Sequence, residues 1–107
     1  MSGTEAGGGV VAIGFAACEQ PARYLQQLVK HWGHKMAASW DGDAQQAAFP
    51  FSEHANAVMS ARPDGIAITL VTSDDTRNME LRGVIERHID RFAFREAPLS
   101  YSWETKP

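Results

Sequence analysis

Four consecutive predicted strands, set between two amphipathic helices, constrain the fold of this chain more than any other feature. Apolar and polar residues alternate through 36–41 and 45–51, less clearly through 54–61, and most clearly through 66–72. This two-residue period is typical of strands with one buried face. The turn RPDG, Arg62–Gly65, places proline second and glycine fourth, as a tight turn requires. Strands joined by such short connections pair in the antiparallel direction.

The two flanking segments have the period of an α-helix. The first is predicted over Pro21–Trp32, with proline at its first position and Gly33 as a left-handed stop. The second follows the capping sequence Ser73–Asp75 and ends near Phe92. Each has one apolar stripe at helical spacing. These stripes are Leu25, Leu28, Val29 and Trp32 in the first helix, and Leu81, Val84, Ile85, His88, Ile89 and Phe92 in the second.

Adding a first strand at Val10–Ala17 and a last strand at 99–103 gives the order β-α-β-β-β-β-α-β. Because two helices can cover only one face of an antiparallel sheet, we predict an α+β, two-layer sandwich. We expect one domain over residues 10–107, preceded by a disordered, glycine-rich tail at 1–9. The other sheet face stays open, either to solvent or to a partner. It is expected to carry Thr69, Val71, Ser100 and Ser102.

The charge and the apolar runs exclude several classes of protein. The net charge is −3 and the basic residues are scattered, which argues against nucleic acid as a partner. No apolar run could span a bilayer, so no membrane partner is expected. The stretch Val10–Cys18 is similar to a secretory leader, but no Lys or Arg precedes it. The single cysteine, Cys18, fits a reducing cytoplasm and is either a small half-buried residue or a thiol activated by the following helix.

No recognisable catalytic motif is present, so we do not expect an enzyme. The sequence contains neither a glycine-rich phosphate loop nor a nucleophile elbow. The paired acids Asp74 and Asp75 stand at a helix start, where capping explains them.

The motif KHWGHK, residues 30–35, allows two interpretations. In the first, His31 complements the negative end of the helix dipole and His34 begins the next strand. In the second, His31 and His34 approach His88 of the second helix and hold a transition metal such as zinc, iron or copper. The second interpretation requires both helices to lie side by side on the sheet.

Two blocks, PARYLQQLVKHWGHK (21–35) and IERHIDRFAFRE (85–96), resemble a small bacterial family catalogued as domain of unknown function 2218. Its members occur alone or joined to siderophore-interacting flavin reductases. The resemblance implies a two-layer fold similar to the TATA-binding-protein arrangement, without its nucleic-acid function, and a connection with iron uptake. The matching positions are Arg23, Tyr24, Leu25, Leu28, His31, Trp32, His34, Lys35, His88, Arg91, Phe92, Phe94, Arg95 and Glu96.

Cationic and aromatic side chains of these blocks form the second candidate site. Ferric siderophores are commonly anionic, and arginine suits their carboxylates while aromatic rings stack on catecholates. The alternative is a solvated helix face with spaced charge pairs. The candidate ligand-binding residues are Arg23, Tyr24, Trp32, Lys35, Arg91 and Arg95.

Three functions follow from these observations. The first is an accessory binding domain in iron–siderophore utilisation, whose partner is a ferric siderophore or a siderophore reductase. The second is a histidine-based metal-binding domain. The third is a structural homodimer formed through the open sheet face, so the expected state is a monomer or a homodimer.

Overall fold

The computed structural model describes residues 9–106, so all of the predicted tail except Gly9 lies outside the described residues. The order of elements confirms the prediction. No helix among the described residues is long and apolar enough to cross a membrane. The elements are β1 (Val10–Ala17), α1 (Pro21–Trp32), β2 (Ser39–Asp41), β3 (Gln46–Ser52), β4 (Ala55–Arg62), β5 (Gly65–Thr72), α2 (Asp75–Phe92) and β6 (Tyr101–Thr105).

The six strands form one sheet in the order β2-β3-β4-β5-β1-β6, and every neighbouring pair is antiparallel. The first strand therefore lies inside the sheet, between β5 and β6. α1 contacts β2, β3 and β4, whereas α2 contacts β5 and β1, and the two helices contact each other. The predicted two-layer α+β sandwich is confirmed, and the contact between the helices positions the candidate site.

The core fills the space between the helices and one face of the sheet. Leu25 and Leu28 of α1 and Ile85 of α2 are completely buried. They pack on Phe49 of β3 and Met59 of β4 within a single cluster. Burial of such side chains contributes roughly 1.5–3 kcal/mol each.

Strand β1 turns its small residues towards the helices. Ala12 and Ala16 are fully buried there, and a Cβ on Gly14 would come within 2.8 Å of the Trp103 ring. Val11, Ile13 and Phe15 lie together on the opposite, open face.

The open face is therefore more apolar than its predicted residues indicated. Val11 pairs with Val71, and Ile13 pairs with Thr69 in the centre of this face. Ser102 lies opposite Phe15 at the edge, while Ser100 precedes the last strand. Self-association through this face stays a prediction.

Two local predictions were wrong in their detail. Gly33 has φ −60° and ψ −16°, which is right-handed, because the chain continues in turns to Met36, whose N–H bonds to the Trp32 carbonyl. The last strand starts at Tyr101 because the Leu99 N–H donates to the Asp90 carboxylate and not to a neighbouring strand.

Candidate functional site

A cavity lies between the first turns of α1 and the end of α2. We call it the inter-helix cavity, and its volume is about 150 Å³. Pro21 starts α1 at this point with no side-chain cap from Gln20. α2 ends at Phe92, so Phe94 and Arg95 follow it in a turn. The lining residues are Gln20, Arg23, Tyr24, Gln27, Phe92, Phe94 and Arg95.

The two positively charged side chains that line the inter-helix cavity have no salt-bridge partner among the described residues. Within residues 9–106, neither Arg23 nor Arg95 has a carboxylate oxygen within 4.0 Å of its guanidinium. The first turn of α1 contains no acidic residue of its own. Arg95 lies 5.9 Å from the centre of the Phe94 ring, which is 71% exposed. The cavity therefore combines two guanidinium groups with an available aromatic surface.

Tyr24 forms the inner wall of the cavity and is fixed by Glu96. Its hydroxyl donates a 2.6 Å hydrogen bond to the Glu96 carboxylate, which also accepts from the Glu19 N–H at 3.0 Å. The hydrogen bond, followed by burial, raises the pKa of Tyr24 to about 12. Glu96 is thus engaged by the protein and ties the end of α2 to the start of α1.

We expect stability to fall as the pH rises from about 10 to 12, because the unfolded chain releases the Tyr24 proton while the folded chain retains it. This contribution is fully present below pH 10. In Tyr24→Phe it should be absent, so the decrease in the free energy of unfolding between pH 9 and pH 11.5 should be smaller. Urea unfolding at pH 9 and at pH 11.5 measures this decrease in the free energy of unfolding. The pKa of Tyr101 is also raised, mainly by burial. Tyr101→Phe should therefore also show a smaller decrease than the wild type. Equal decreases in wild type and Tyr24→Phe would contradict the assignment.

A second, more open depression continues along α1. We call it the histidine groove, and its volume is about 340 Å³. It shares Gln27 and Phe92 with the inter-helix cavity. Lys30, His31 and His34 line its far end. None of its lining residues is acidic, so this part of the cleft is cationic as well.

The structure brings two of the three predicted metal ligands together. The rings of His31 and His88 are 5.5 Å apart between centroids. The Nδ1 of His88 lies 2.7 Å from the Val84 carbonyl oxygen and donates to it, which leaves Nε2 as the unprotonated nitrogen of the neutral ring. Burial, and then Arg91, lower the pKa of His31. Within the described residues, no group of three or more metal-binding side chains exists, so His34 does not complete a three-histidine set.

The predicted ligand-binding residues divide into three groups. Arg23, Tyr24 and Arg95 line the inter-helix cavity. Trp32 is only 3% exposed and packs between Phe49, Phe51 and His88, so it belongs to the core and cannot stack on a ligand. Lys35 and Arg91 are exposed and line neither the cavity nor the groove.

Sequence reasoning did not assign Gln20, Gln27 and Phe92 to the site. A signal for Gln27 was present, because it lies four residues after Arg23 and three before Lys30, on the same face of α1. No comparable signal identified Phe92, which had been predicted as a core residue.

Cys18 is a buried structural residue rather than an activated thiol. It is 8% exposed, and burial, with a smaller effect from Glu96, raises its pKa to about 11. A thiol with a raised pKa is a poor nucleophile at neutral pH.

These features define a small two-layer α+β domain with a cationic cleft between its two helices. The chain belongs to the family described as "Uncharacterized protein conserved in bacteria (DUF2218)", which matches residues 14–104. It is similar to the NMR structure of PA4090 from Pseudomonas aeruginosa, with 26% identity and a TM-score of 0.73. That similarity covers 88% of this chain and 94% of PA4090. No curated protein matched the chain significantly.

Proposed function

We propose that this chain is a binding domain that takes an anionic aromatic ring into the inter-helix cavity. One observation carries the proposal: Arg23 and Arg95, both without an acidic partner among residues 9–106, line one cavity beside the exposed ring of Phe94. Arginine binds carboxylates through two parallel hydrogen bonds, and Phe94 offers a surface on which a flat ring can stack.

The volume of the cavity limits what can enter it. An apolar cavity of about 150 Å³ in another protein holds one benzene molecule, and the inter-helix cavity has the same size. The cavity therefore has room for one six-membered ring. Aryl acids of the benzoate class, including catechol carboxylates, have this size and charge.

The family resemblance connects this ligand class with iron uptake. Catecholate siderophores carry dihydroxybenzoyl arms whose carboxyl groups form amide bonds, so the anionic groups that the two arginines would meet are the catecholate oxygens. A complete ferric siderophore exceeds the volume of the cavity, so we propose that one aromatic arm enters while the rest stays outside. The proposed partner, a siderophore reductase, rests on the resemblance alone.

We expect benzoate and 2,3-dihydroxybenzoate to bind, and the neutral isostere benzamide to bind at least tenfold more weakly. Arg23→Gln and Arg95→Gln should each weaken benzoate binding by at least about tenfold, since a hydrogen bond to a charged group contributes roughly 1.5–3 kcal/mol. Arg87→Gln is the matched control, because Arg87 is exposed on α2 and does not line the cavity. Isothermal titration calorimetry measures the affinity for these ligands and then for a ferric catecholate siderophore.

Equal affinities for benzoate and benzamide, or equal losses in Arg87→Gln and Arg95→Gln, would contradict the proposal. A result in which benzoate binds and the ferric siderophore does not would retain the aryl acid site and reject its link with siderophores.

The contact between His31 and His88 favours a second candidate function, which is metal binding by a pair of imidazoles. Two neighbouring histidines, one of which has its tautomer fixed by the Val84 carbonyl, suit zinc, copper or iron, with water or an external ligand completing the coordination. Titration with Zn²⁺ tests it, with His88→Gln against His54→Gln as the matched control. Binding weaker than about 100 μM, or unchanged in His88→Gln, would exclude this candidate.

A further inference from the structure

We infer that the cleft has two anion subsites and that its ligand is an elongated dianion. This inference rests on the proposed function, because the first subsite is the inter-helix cavity. The second subsite is the far end of the histidine groove, where Lys30 and His34 lie. The ligand class is an aryl acid extended by a chain that ends in a second carboxylate, phosphate or equivalent anion.

The two depressions are adjacent parts of the cleft between the helices, because they share two lining residues. Gln27 and Phe92 line both of them and therefore stand at the boundary that a ligand passing from one to the other would cross. Phe92 is half-buried and presents an apolar surface there, while the Gln27 amide can both donate and accept hydrogen bonds. A ligand that crosses this boundary needs an apolar or amide-containing middle.

Positive charge is present at both ends of the cleft and absent from its middle. Arg23 and Arg95 stand at one end, and Lys30 stands at the other, with His34 beside it as a hydrogen-bonding group. Within residues 9–106, Lys30 has no carboxylate within 4.0 Å. The chain carries a net charge of −3, yet the segment 20–36 contains three basic residues and no acidic one. Two of these three residues, Arg23 and Lys30, lie on α1, whereas Lys35 follows the helix.

The helix sets the distance between the subsites. Arg23 and Lys30 are seven residues apart on one face of α1, which corresponds to about 10 Å along the helix axis. A single aryl carboxylate is too short to reach both. A dianion whose acidic groups are separated by about 10 Å can satisfy the two ends together.

The test uses a series of amides made from 4-carboxybenzoate and ω-amino acids of increasing chain length. Each member is compared with an analogue in which the distal carboxylate is replaced by a carboxamide. We expect the distal carboxylate to increase affinity about fivefold in the shortest members, whose acids are already roughly 10 Å apart, and less in longer members, whose chains exceed the distance between the subsites. Lys30→Gln should abolish this increase. Arg87→Gln should preserve it, because Arg87 is exposed on α2 and lines neither part of the cleft.

Failure of this inference can be distinguished from failure of the proposed function. If the distal carboxylate and carboxamide bind within twofold of each other at every length, while Arg23→Gln still weakens both, the second subsite is refuted and the first stands. If no member of the series binds, the proposed function fails together with this inference.

Discussion

Trp32→Ala should lower the free energy of unfolding by about 3–5 kcal/mol, the usual cost of removing a fully buried large aromatic side chain. Trp32 contacts Phe49 and Phe51 of β3 with ring centroids 5.3 and 5.1 Å away, and His88 of α2 at 4.8 Å. The indole therefore joins both helices to the sheet. Its removal leaves a cavity at the point where all three meet.

Urea unfolding of the two single variants Trp32→Ala and Trp40→Ala measures this effect. Trp40 is a matched control, because it is half-buried on the short strand β2, near the edge of the sheet. We expect its loss to be less than half as large. A loss below about 1 kcal/mol for Trp32→Ala would show that the helices do not depend on this contact.

Gly65→Ala should destabilise the protein by about 3 kcal/mol, whereas Gly14→Ala should cost about 1 kcal/mol or less. A Cβ on Gly65 would collide with the Ala16 carbonyl oxygen and lie 2.8 Å from the Ala17 Cα. These are backbone atoms of the paired strand β1, so the two strands would have to separate. A Cβ on Gly14 meets only side-chain atoms of Trp103, on the edge strand β6, so relieving the contact does not require two paired backbones to separate.

The comparison is well controlled, since both substitutions reduce the entropy of the unfolded chain by a similar amount. The difference between their free energies of unfolding therefore reports the native contacts. Equal losses of stability in the two variants would show that the backbones of β1 and β5 can separate at Gly65.

The sequence predicted the elements that depend on local signals. Pro21 and the cap at Asp74, whose carboxylate accepts from the Arg77 N–H, define the starts of both helices. The turn at Arg62–Gly65 joins β4 to β5 in register. Each of these signals acts within a few residues, so no knowledge of the tertiary structure is required.

Features that depend on distant contacts could not be predicted in the same way. The pairing of β1 with both β5 and β6 joins the two ends of the chain and has no local signal. The alternation in β1 showed that Val11, Ile13 and Phe15 lie on one side of the strand. It did not show which side of the strand faces the helices. Their place on the open face follows from the packing of Trp103 against Gly14.

The candidate site, too, could be predicted only where it depends on residue type and local pattern. The histidines and arginines were found from their residue types, and the side-by-side helices bring His31 and His88 together as the pattern required. Trp32 matched the same aromatic pattern, but only the tertiary structure shows that its ring is enclosed. The cavity itself depends on how α1 meets the turn after α2, which no sequence period describes.

We propose the cleft between α1 and α2 as the binding surface of this domain. Two-dimensional ¹H–¹⁵N NMR during titration with benzoate tests it most directly. The account predicts that shift changes concentrate at the backbone amides of Arg23, Gln27, Phe94 and Arg95, which line the cavity. The amides of Val11, Thr69 and Val71, on the open sheet face, should not shift. Changes confined to the open face, or no changes at millimolar benzoate, would contradict the claim.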